Sequence, residues 1–84
     1  MLEIVSLGFG NIAMTKRIVA VVSPESAPIK RMVSEGRESK RVIDVTFGRR
    51  TRSVLVMDDG HLILSSVSPE TIAFRVTENN SPSN

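Results

Sequence analysis

The stretch SVLVMDDGHLILS, residues 53–65, decides the fold of this chain. Residues 53–57 and 61–65 are dominated by aliphatic and β-branched side chains, which favour extended strands. Between them lies the sequence DDG, in which Gly60 can adopt the positive φ that a tight hairpin turn requires. The stretch therefore predicts a β-hairpin.

Three further segments have strand character. Residues 2–7 and 17–22 are rich in β-branched residues, and residues 41–47 alternate between apolar and polar side chains. One face of this last segment carries Ile43, Val45 and Phe47, and of these Phe47 is expected in the core. Residues 8–11, GFGN, are expected to form a turn or a short irregular link.

Two short helices are expected. The first spans about residues 26–36 or a little beyond, where Ser26 is the N-cap, Gly36 can terminate the helix, and apolar residues recur at helical spacing. The second begins with SPE, residues 68–70, which provides a capping serine, a proline at the first helical position and an acidic first turn. This helix is expected to end near Thr77.

The predicted fold is a single α+β domain over residues 1–77. It contains a small, mostly antiparallel five-stranded sheet and two short helices in the order β-β-α-β-β-β-α. Residues 78–84, with the sequence ENNSPSN, are polar and contain no apolar anchor, so they are expected to be a disordered tail. No internal repeat divides the chain.

Length and composition narrow the function classes. A chain of 84 residues buries a modest core. With no cysteine and one histidine, it has no disulfide and few ligands for a structural metal, which commonly stabilise small folds. We therefore expect self-association into a homo-oligomer, and a cytoplasmic location as the default for a cysteine-free chain. The longest apolar run, residues 18–22, is too short for a membrane helix or a signal peptide, so no membrane association is expected.

Catalytic, metal and cofactor sites are not expected. His61 stands beside Asp58 and Asp59 in a turn, whereas a metal site requires three or four ligands around one ion. The glycines Gly8 and Gly10 lack the third glycine and the following helix of a dinucleotide-binding loop. No Ser-His-Asp or Cys-His combination is evident, which predicts a protein that is not an enzyme and has no small-molecule substrate.

The strand segments bear on assembly because residues 18–22, 54–57 and 62–64 are apolar on both faces. Two short helices cannot cover both faces of a five-stranded sheet. The uncovered apolar surface is expected to contact another copy of the chain. A strongly curled sheet that closes on itself is the alternative.

The charge of +2 is unevenly distributed. Residues 16–52 contain ten basic and four acidic residues, a net charge of +6, whereas the flanking segments carry −4. This distribution predicts one face that binds anions. The strongest signal is GRRTR, residues 48–52, because arginine forks bind phosphate oxygens in pairs of hydrogen bonds. The candidate DNA-binding residues are Lys16, Arg17, Lys30, Arg31, Arg49, Arg50 and Arg52.

Two of these groups precede strands, so Lys16-Arg17 and the GRRTR turn are expected at one sheet edge if those strands are neighbours. Single-strand readers stack bases on exposed aromatic rings, and this chain has three phenylalanines, no tryptophan and no tyrosine. Double-stranded DNA, bound through its phosphates, is therefore the expected partner. Two alternatives are a module whose basic turn docks an acidic protein, and a general RNA binder.

Several segments together resemble the RemA family of bacterial extracellular matrix regulators. The resemblance spans about residues 7–76 and rests on the segments GFGN (8–11), SPESAPIKRM (23–32), GRRTR (48–52), the aspartate-rich hairpin before HLILS, and SPET (68–71). It implies a transcriptional regulator of biofilm matrix genes, assembled as a ring of identical subunits with DNA outside. By motif position, it implies that Arg17, Arg49 and Arg50 contact the DNA.

Overall fold

Six strands and two helices make up residues 3–80, which are the residues that the computed structural model describes. In chain order they are β1 (Ile4–Gly8), β2 (Asn11–Met14), a single turn of 3-10 helix (Thr15–Arg17), β3 (Ile18–Val22), α1 (Ala27–Glu38), β4 (Val42–Asp44), β5 (Ser53–Met57), β6 (Leu62–Ser65) and α2 (Pro69–Asn80). The predicted α+β class is confirmed.

The predicted hairpin forms the centre of the main sheet. β5 and β6 pair in antiparallel fashion, and Gly60 has a φ of +90° in the turn between them. The turn is closed by the Gly60 amide, which donates to the carbonyl of Met57 at 3.1 Å. The hairpin prediction is confirmed.

The main sheet has four strands in the order β3-β5-β6-β4, in which only β4 runs parallel to its neighbour. Its two ends carry different segments. We call the end where β5 begins and β4 and β6 finish the arginine-loop end, because the segment 45–52 lies there. We call the opposite end, which holds the turn 58–60, the hairpin end.

The sheet differs from the predicted five-stranded one because β2 is a strand where the sequence predicts a link. Gly8 and Gly10 have φ values of +93° and +81°, which reverse the chain within a few residues. β2 then pairs with β1 as a separate two-stranded sheet. Its apolar pattern is inverted, since Ala13 is buried while Ile12 and Met14 are exposed, so the sequence contains no strand signal there.

The strand predicted over residues 41–47 is shorter. β4 ends at Asp44, whose carboxylate accepts hydrogen bonds from Thr46 and turns the chain, and Phe47 has a φ of +56°. The prediction that Phe47 enters the core is therefore wrong, because Phe47 is 81% exposed, and Ile43 on the same predicted face is exposed as well. Val45 is half-buried against the core.

The first helix begins as predicted and continues past its expected terminator. Ser26 caps it by accepting a hydrogen bond from the Ile29 amide at 3.4 Å. Gly36 lies inside the helix and is buried. A Cβ at this position would lie 2.9 Å from a Leu62 methyl carbon, so glycine here permits the close approach of α1 to the sheet.

The second helix begins as predicted at Pro69. The Ser68 hydroxyl accepts a hydrogen bond from the Thr71 amide at 3.2 Å. The helix ends at Asn80, three residues later than the predicted end at Thr77. Residues 81–84 of the predicted tail lie outside the described residues. Within the described residues 3–80, neither helix has the length and apolar character needed to span a bilayer.

Apolar layers lie on both faces of the main sheet. The adjacent residues Val54 and Leu55 on β5 are both fully buried, each in a different layer. One layer is covered by α1. The other layer is covered by α2 and by the β1–β2 hairpin. This hairpin buries apolar surface of the sheet that is expected, from the sequence, to stay uncovered within one chain. Apolar exposure persists elsewhere, at Val19 on the edge strand β3 and at Ile12 on β2.

Candidate nucleic-acid interface

Residues 45–52, which we call the arginine loop, connect β4 to β5 across the end of β6. The Val45 amide donates to the carbonyl of Leu64 at 2.9 Å, and the Arg52 amide donates to the carbonyl of Ser65 at 2.8 Å. Both ends of the loop are therefore fixed to β6. The basic side chains between these points extend from a defined base.

The start of the arginine loop is fixed by Asp44. Its Oδ1 accepts from the Thr46 hydroxyl at 2.6 Å and from the Thr46 amide at 2.9 Å. These bonds, the hydroxyl first, lower the pKa of the Asp44 carboxyl below its usual value because they stabilise the charged form. Thr46 is buried, so this carboxylate supplies a partner for a hydroxyl removed from water.

An aromatic pair stands beside the loop. The ring centroids of Phe9 and Phe47 are 5.2 Å apart with 25° between the ring planes, a stacked arrangement. The Arg49 guanidinium carbon lies 5.4 Å from the Phe9 centroid, within cation–π distance. The turn 8–11 and the arginine loop thus meet at one point on the surface.

Of the two further arginines of the loop, Arg50 lies beside a carboxylate. Arg50 Nη2 is 3.1 Å from Oε2 of Glu25, and both side chains are well exposed to solvent. Arg50 and Glu25 line a shallow depression on the surface. Arg52 and Glu70 line the same depression. Lys30 on α1 borders a neighbouring depression next to the loop. The structure therefore brings Arg49, Arg50, Arg52 and Lys30 to the arginine-loop end.

Arg17 lies at the opposite end of the sheet. β3 and β5 are neighbours, as the expectation required, but they are antiparallel, and Ile18 pairs with Met57. The start of β3 is therefore at the hairpin end, and the expectation that Lys16-Arg17 and GRRTR share one sheet edge is wrong. Lys16 is exposed in the same 3-10 turn as Arg17. Arg31 is exposed on α1 beside Lys30.

The Arg17 guanidinium is paired with Asp58. Its Nε donates to both carboxylate oxygens, at 2.9 Å to Oδ1 and 2.7 Å to Oδ2. The hydrogen bond and the charge of Asp58 raise the pKa of Arg17 above its usual value. Both side chains remain partly exposed, so this pair is open to competing anions.

The remaining groups of the hairpin end form a turn network. The His61 amide donates to Asp59 Oδ1 at 3.0 Å, and this bond is the main cause of a lowered pKa of the Asp59 carboxyl. The His61 Nδ1 lies 3.0 Å from Oδ2 of the same carboxylate. Among the side chains of residues 3–77, no three histidine, cysteine or acidic groups lie closely enough together to hold a metal ion.

Sequence reasoning missed several participants that the structure reveals. Phe9 and Phe47 each precede a glycine, and both adopt positive φ, so the repeated Phe-Gly pair is a signal that could have found them. The pairing of Glu25 and Asp58 with arginines has no such signal. They lie 25 and 41 residues from Arg50 and Arg17, and only the folded chain brings them together.

Comparison with known proteins places the chain in a family. The family model described as RemA-like, Extracellular matrix regulatory protein A-like, matches residues 4–76. The chain belongs to the RemA-like family. The resemblance seen in the sequence is therefore confirmed, and the match begins at residue 4, three residues before the span of about 7–76 over which the resemblance is seen.

Relatives within the RemA-like family cover most of the chain. A protein of Symbiobacterium thermophilum is 58% identical over 76 residues, which is 90% of this chain and 80% of the relative. One from Acaryochloris marina is 51% identical over 78 residues, 93% of this chain and 89% of the relative. One from Bacillus cytotoxicus is 56% identical over 75 residues, with 89% and 86% covered. All three bear the name "Putative regulatory protein", which indicates a regulatory role for the family.

Proposed function

We propose that this chain is a cytoplasmic, DNA-binding transcriptional regulator of extracellular matrix genes that acts without catalysis. In this proposal, identical subunits form a ring, and arginines contact the phosphates of duplex DNA. The observation that carries the proposal is the exposed arginine loop, which places Arg49, Arg50 and Arg52 on a rigid base. The family name supports the matrix genes as targets.

Phosphate can replace the acidic partner that Arg50 has in the free chain. Glu25 and Arg50 are both exposed, and a surface ion pair of this kind contributes about 0–1 kcal/mol. A guanidinium can instead form two parallel hydrogen bonds with phosphate oxygens. Release of counterions from the DNA adds a favourable term for each neutralised phosphate. The existing ion pair is therefore a weak competitor.

The placement of Arg17 gives the oligomer a role in DNA binding. Within one subunit, Arg17 and the arginine loop lie at opposite ends of the main sheet. A ring can place the hairpin end of one copy and the arginine-loop end of another along a single DNA path. Repeated weak sites then act together, and linked sites can gain about 10²–10⁴ in affinity over one site.

Exposed apolar surface supports self-association. β3 is an edge strand of the main sheet, and Val19 on this strand is 67% exposed. An open groove between β3 and α2 is lined by Ile18, Ala73 and Val76 among others. Edge strands with apolar side chains are surfaces on which a second chain can pair.

The proposal is tested by Arg49→Ala and Arg50→Ala. Each variant should keep its oligomeric mass by light scattering and its melting temperature. Duplex DNA binding should collapse by about 10²-fold or more, because the substitution removes an arginine–phosphate bond from every engaged subunit. The slope of log K against log[salt] should flatten by roughly 0.9 for each phosphate that is no longer neutralised.

The matched control is Arg75→Gln, which removes one positive charge from α2 and none from the arginine loop or from the 3-10 turn that carries Arg17. Arg75 donates to the carbonyl of Ser6, a bond that a glutamine amide can replace. This variant should bind DNA nearly as tightly as the unaltered chain. Unchanged affinity and salt slope in both loop variants would refute the proposal, as would a monomeric mass for the unaltered chain. Binding only to RNA or to an acidic protein would show that the arginine loop recognises that partner and not duplex DNA.

A further inference from the structure

The most exposed aromatic ring of the described chain lies at the arginine-loop end. Phe47 is 81% exposed and stacks on Phe9, which is 48% exposed. The two rings come from separate segments, the arginine loop and the turn between β1 and β2. Their combined apolar surface faces solvent next to the Arg49 guanidinium.

The backbone holds both rings in place at a conformational cost. Phe9 and Phe47 each have a φ of +56°, a region that bulky side chains rarely adopt. Hydrogen bonds fix each turn: the Asn11 side-chain amide donates to the carbonyl of Gly8 at 3.1 Å, and Asp44 accepts from Thr46 just before Phe47. Strained residues held outward by well-bonded turns are typical of functional surfaces.

The surroundings of the rings match DNA. Residues 48–52 contribute three guanidiniums and no carboxylate, a charge pattern that complements a polyanion. On duplex DNA, rows of phosphates flank an apolar stack of bases. A side chain can reach that stack from the minor groove by wedging between two base pairs. An apolar ring beside arginines can contact both features at once.

We infer that Phe47, supported by Phe9, wedges against a base step of the bound duplex and makes binding depend on how easily that step unstacks. This inference rests on the proposed function. Pyrimidine–purine steps such as TA and CA are the most easily kinked, so a wedge favours them without reading base edges. Arg49 and Arg50 would hold the flanking phosphates, and Phe47 would select the site.

The test uses two duplexes of equal length and base composition. One contains TA and CA steps, and the other has all purines on one strand and therefore no pyrimidine–purine step. The unaltered chain should prefer the first by roughly tenfold, the scale of discrimination at a single step. Phe47→Asn, which keeps a residue tolerant of positive φ, should bind both duplexes alike with an unchanged salt slope. Phe47→Leu, which keeps an apolar wedge, should retain the preference.

A second measurement needs no variant. Duplex DNA with 2-aminopurine beside a TA step should increase in fluorescence when the unaltered chain binds, because the step unstacks. Absence of the increase, equal affinity of the unaltered chain for the two duplexes, or an unchanged preference in Phe47→Asn would overturn the inference. Loss of oligomeric mass in Phe47→Asn would also overturn it, by assigning the rings to a subunit contact.

Failure of the proposed function is distinguishable. In that case neither duplex is bound in a salt-dependent manner, and Arg50→Ala has no effect. If only the wedge fails, Arg50→Ala still weakens both duplexes equally and flattens the salt slope, while Phe47 variants behave as the unaltered chain does.

Discussion

Arginines lie at both ends of the main sheet, in different electrostatic surroundings. At the arginine-loop end, Arg49 lies over the Phe9 ring, and over residues 3–77 no carboxylate is within ion-pair distance of it. At the hairpin end, Arg17 is bound by Asp58 at 2.7 Å, with Asp59 next in the chain. Arg49 therefore presents its positive charge to solvent, whereas Arg17, like Arg50 beside Glu25, is already paired with a carboxylate.

This difference predicts an order of contributions to DNA binding. A phosphate that approaches Arg49 meets a guanidinium with no competing anion. A phosphate that approaches Arg17 must share it with Asp58 or displace that carboxylate, although exposed pairs contribute only about 0–1 kcal/mol. We therefore expect both arginines to bind phosphate, with the larger effect at the arginine-loop end.

The largest expected effect at the hairpin end comes from Arg17→Ala. A charge-assisted hydrogen bond contributes about 1.5–3 kcal/mol, so DNA affinity should fall by about ten- to a hundredfold, less than for Arg49→Ala. Fluorescence anisotropy of a labelled duplex at several salt concentrations measures this decrease. Light scattering checks that the oligomer persists.

The double variant Arg17→Ala, Asp58→Ala separates contact from neutralisation. It restores the net charge of the hairpin end, so it would bind like the unaltered chain if Arg17 served only to cancel Asp58. If Arg17 contacts phosphate, the double variant should recover only a small part of the affinity. Full recovery would show that the hairpin end takes no direct part in binding.

Parts of the fold with local signals could be predicted from the sequence. Gly60 marks the hairpin turn, and Ser26 and Ser68 mark the helix starts, because each of these residues satisfies a backbone requirement within a few positions of itself. β2 could not be predicted, since its outward face carries Ile12 and Met14 and its inward face carries a small alanine.

The candidate site is predictable only in part for a related reason. The arginine loop is visible as a cluster of charges in adjacent positions. The separation of Arg17 from that loop depends on the antiparallel pairing of β3 with β5, which contiguous sequence does not encode. Alternation that continues through residue 47 predicts Phe47 in the core, whereas the Asp44–Thr46 bonds end the strand before it.

The two ends also contain glycines that differ in their surroundings. Gly48 has a φ of +80°, and apart from Gly48 and its two chain neighbours no described residue has an atom within 4 Å of the point that a Cβ would occupy. At Gly60, with a φ of +90°, a Cβ would lie 3.2 Å from Arg41 Nη1. Gly48→Ala should lower the free energy of unfolding by about 1–2 kcal/mol through backbone strain alone. Gly60→Ala should cost at least as much, because it also disturbs the Arg41 bond to the Gly60 carbonyl.

Thermal unfolding of both glycine variants checks this expectation, at a scale of about 4–8 °C per kcal/mol for a domain of this size. An Arg41→Ala background should reduce the cost of Gly60→Ala toward that of Gly48→Ala. A Gly48→Ala protein with an unchanged melting temperature would show that the arginine loop is not held in its left-handed conformation.

The smallest effect concerns Asp44 and its pH dependence. The lowered pKa means that its bonds to Thr46 stabilise the fold fully above the unfolded-state value of about 3.9 and are lost as pH falls through the lower folded-state value. Because the carboxylate is exposed, we expect a contribution below about 1 kcal/mol. Asp44→Ala should therefore melt up to a few degrees lower than the unaltered chain at pH 7, and this gap should narrow below about pH 4. Asp59→Ala at the hairpin end is the comparison: it removes the acceptor of an exposed backbone amide and the 3.0 Å contact with His61 Nδ1, whereas Asp44→Ala leaves the buried Thr46 hydroxyl without its acceptor. Equal melting temperatures for these two variants at pH 7 would contradict the view that Asp44 fixes the base of the arginine loop.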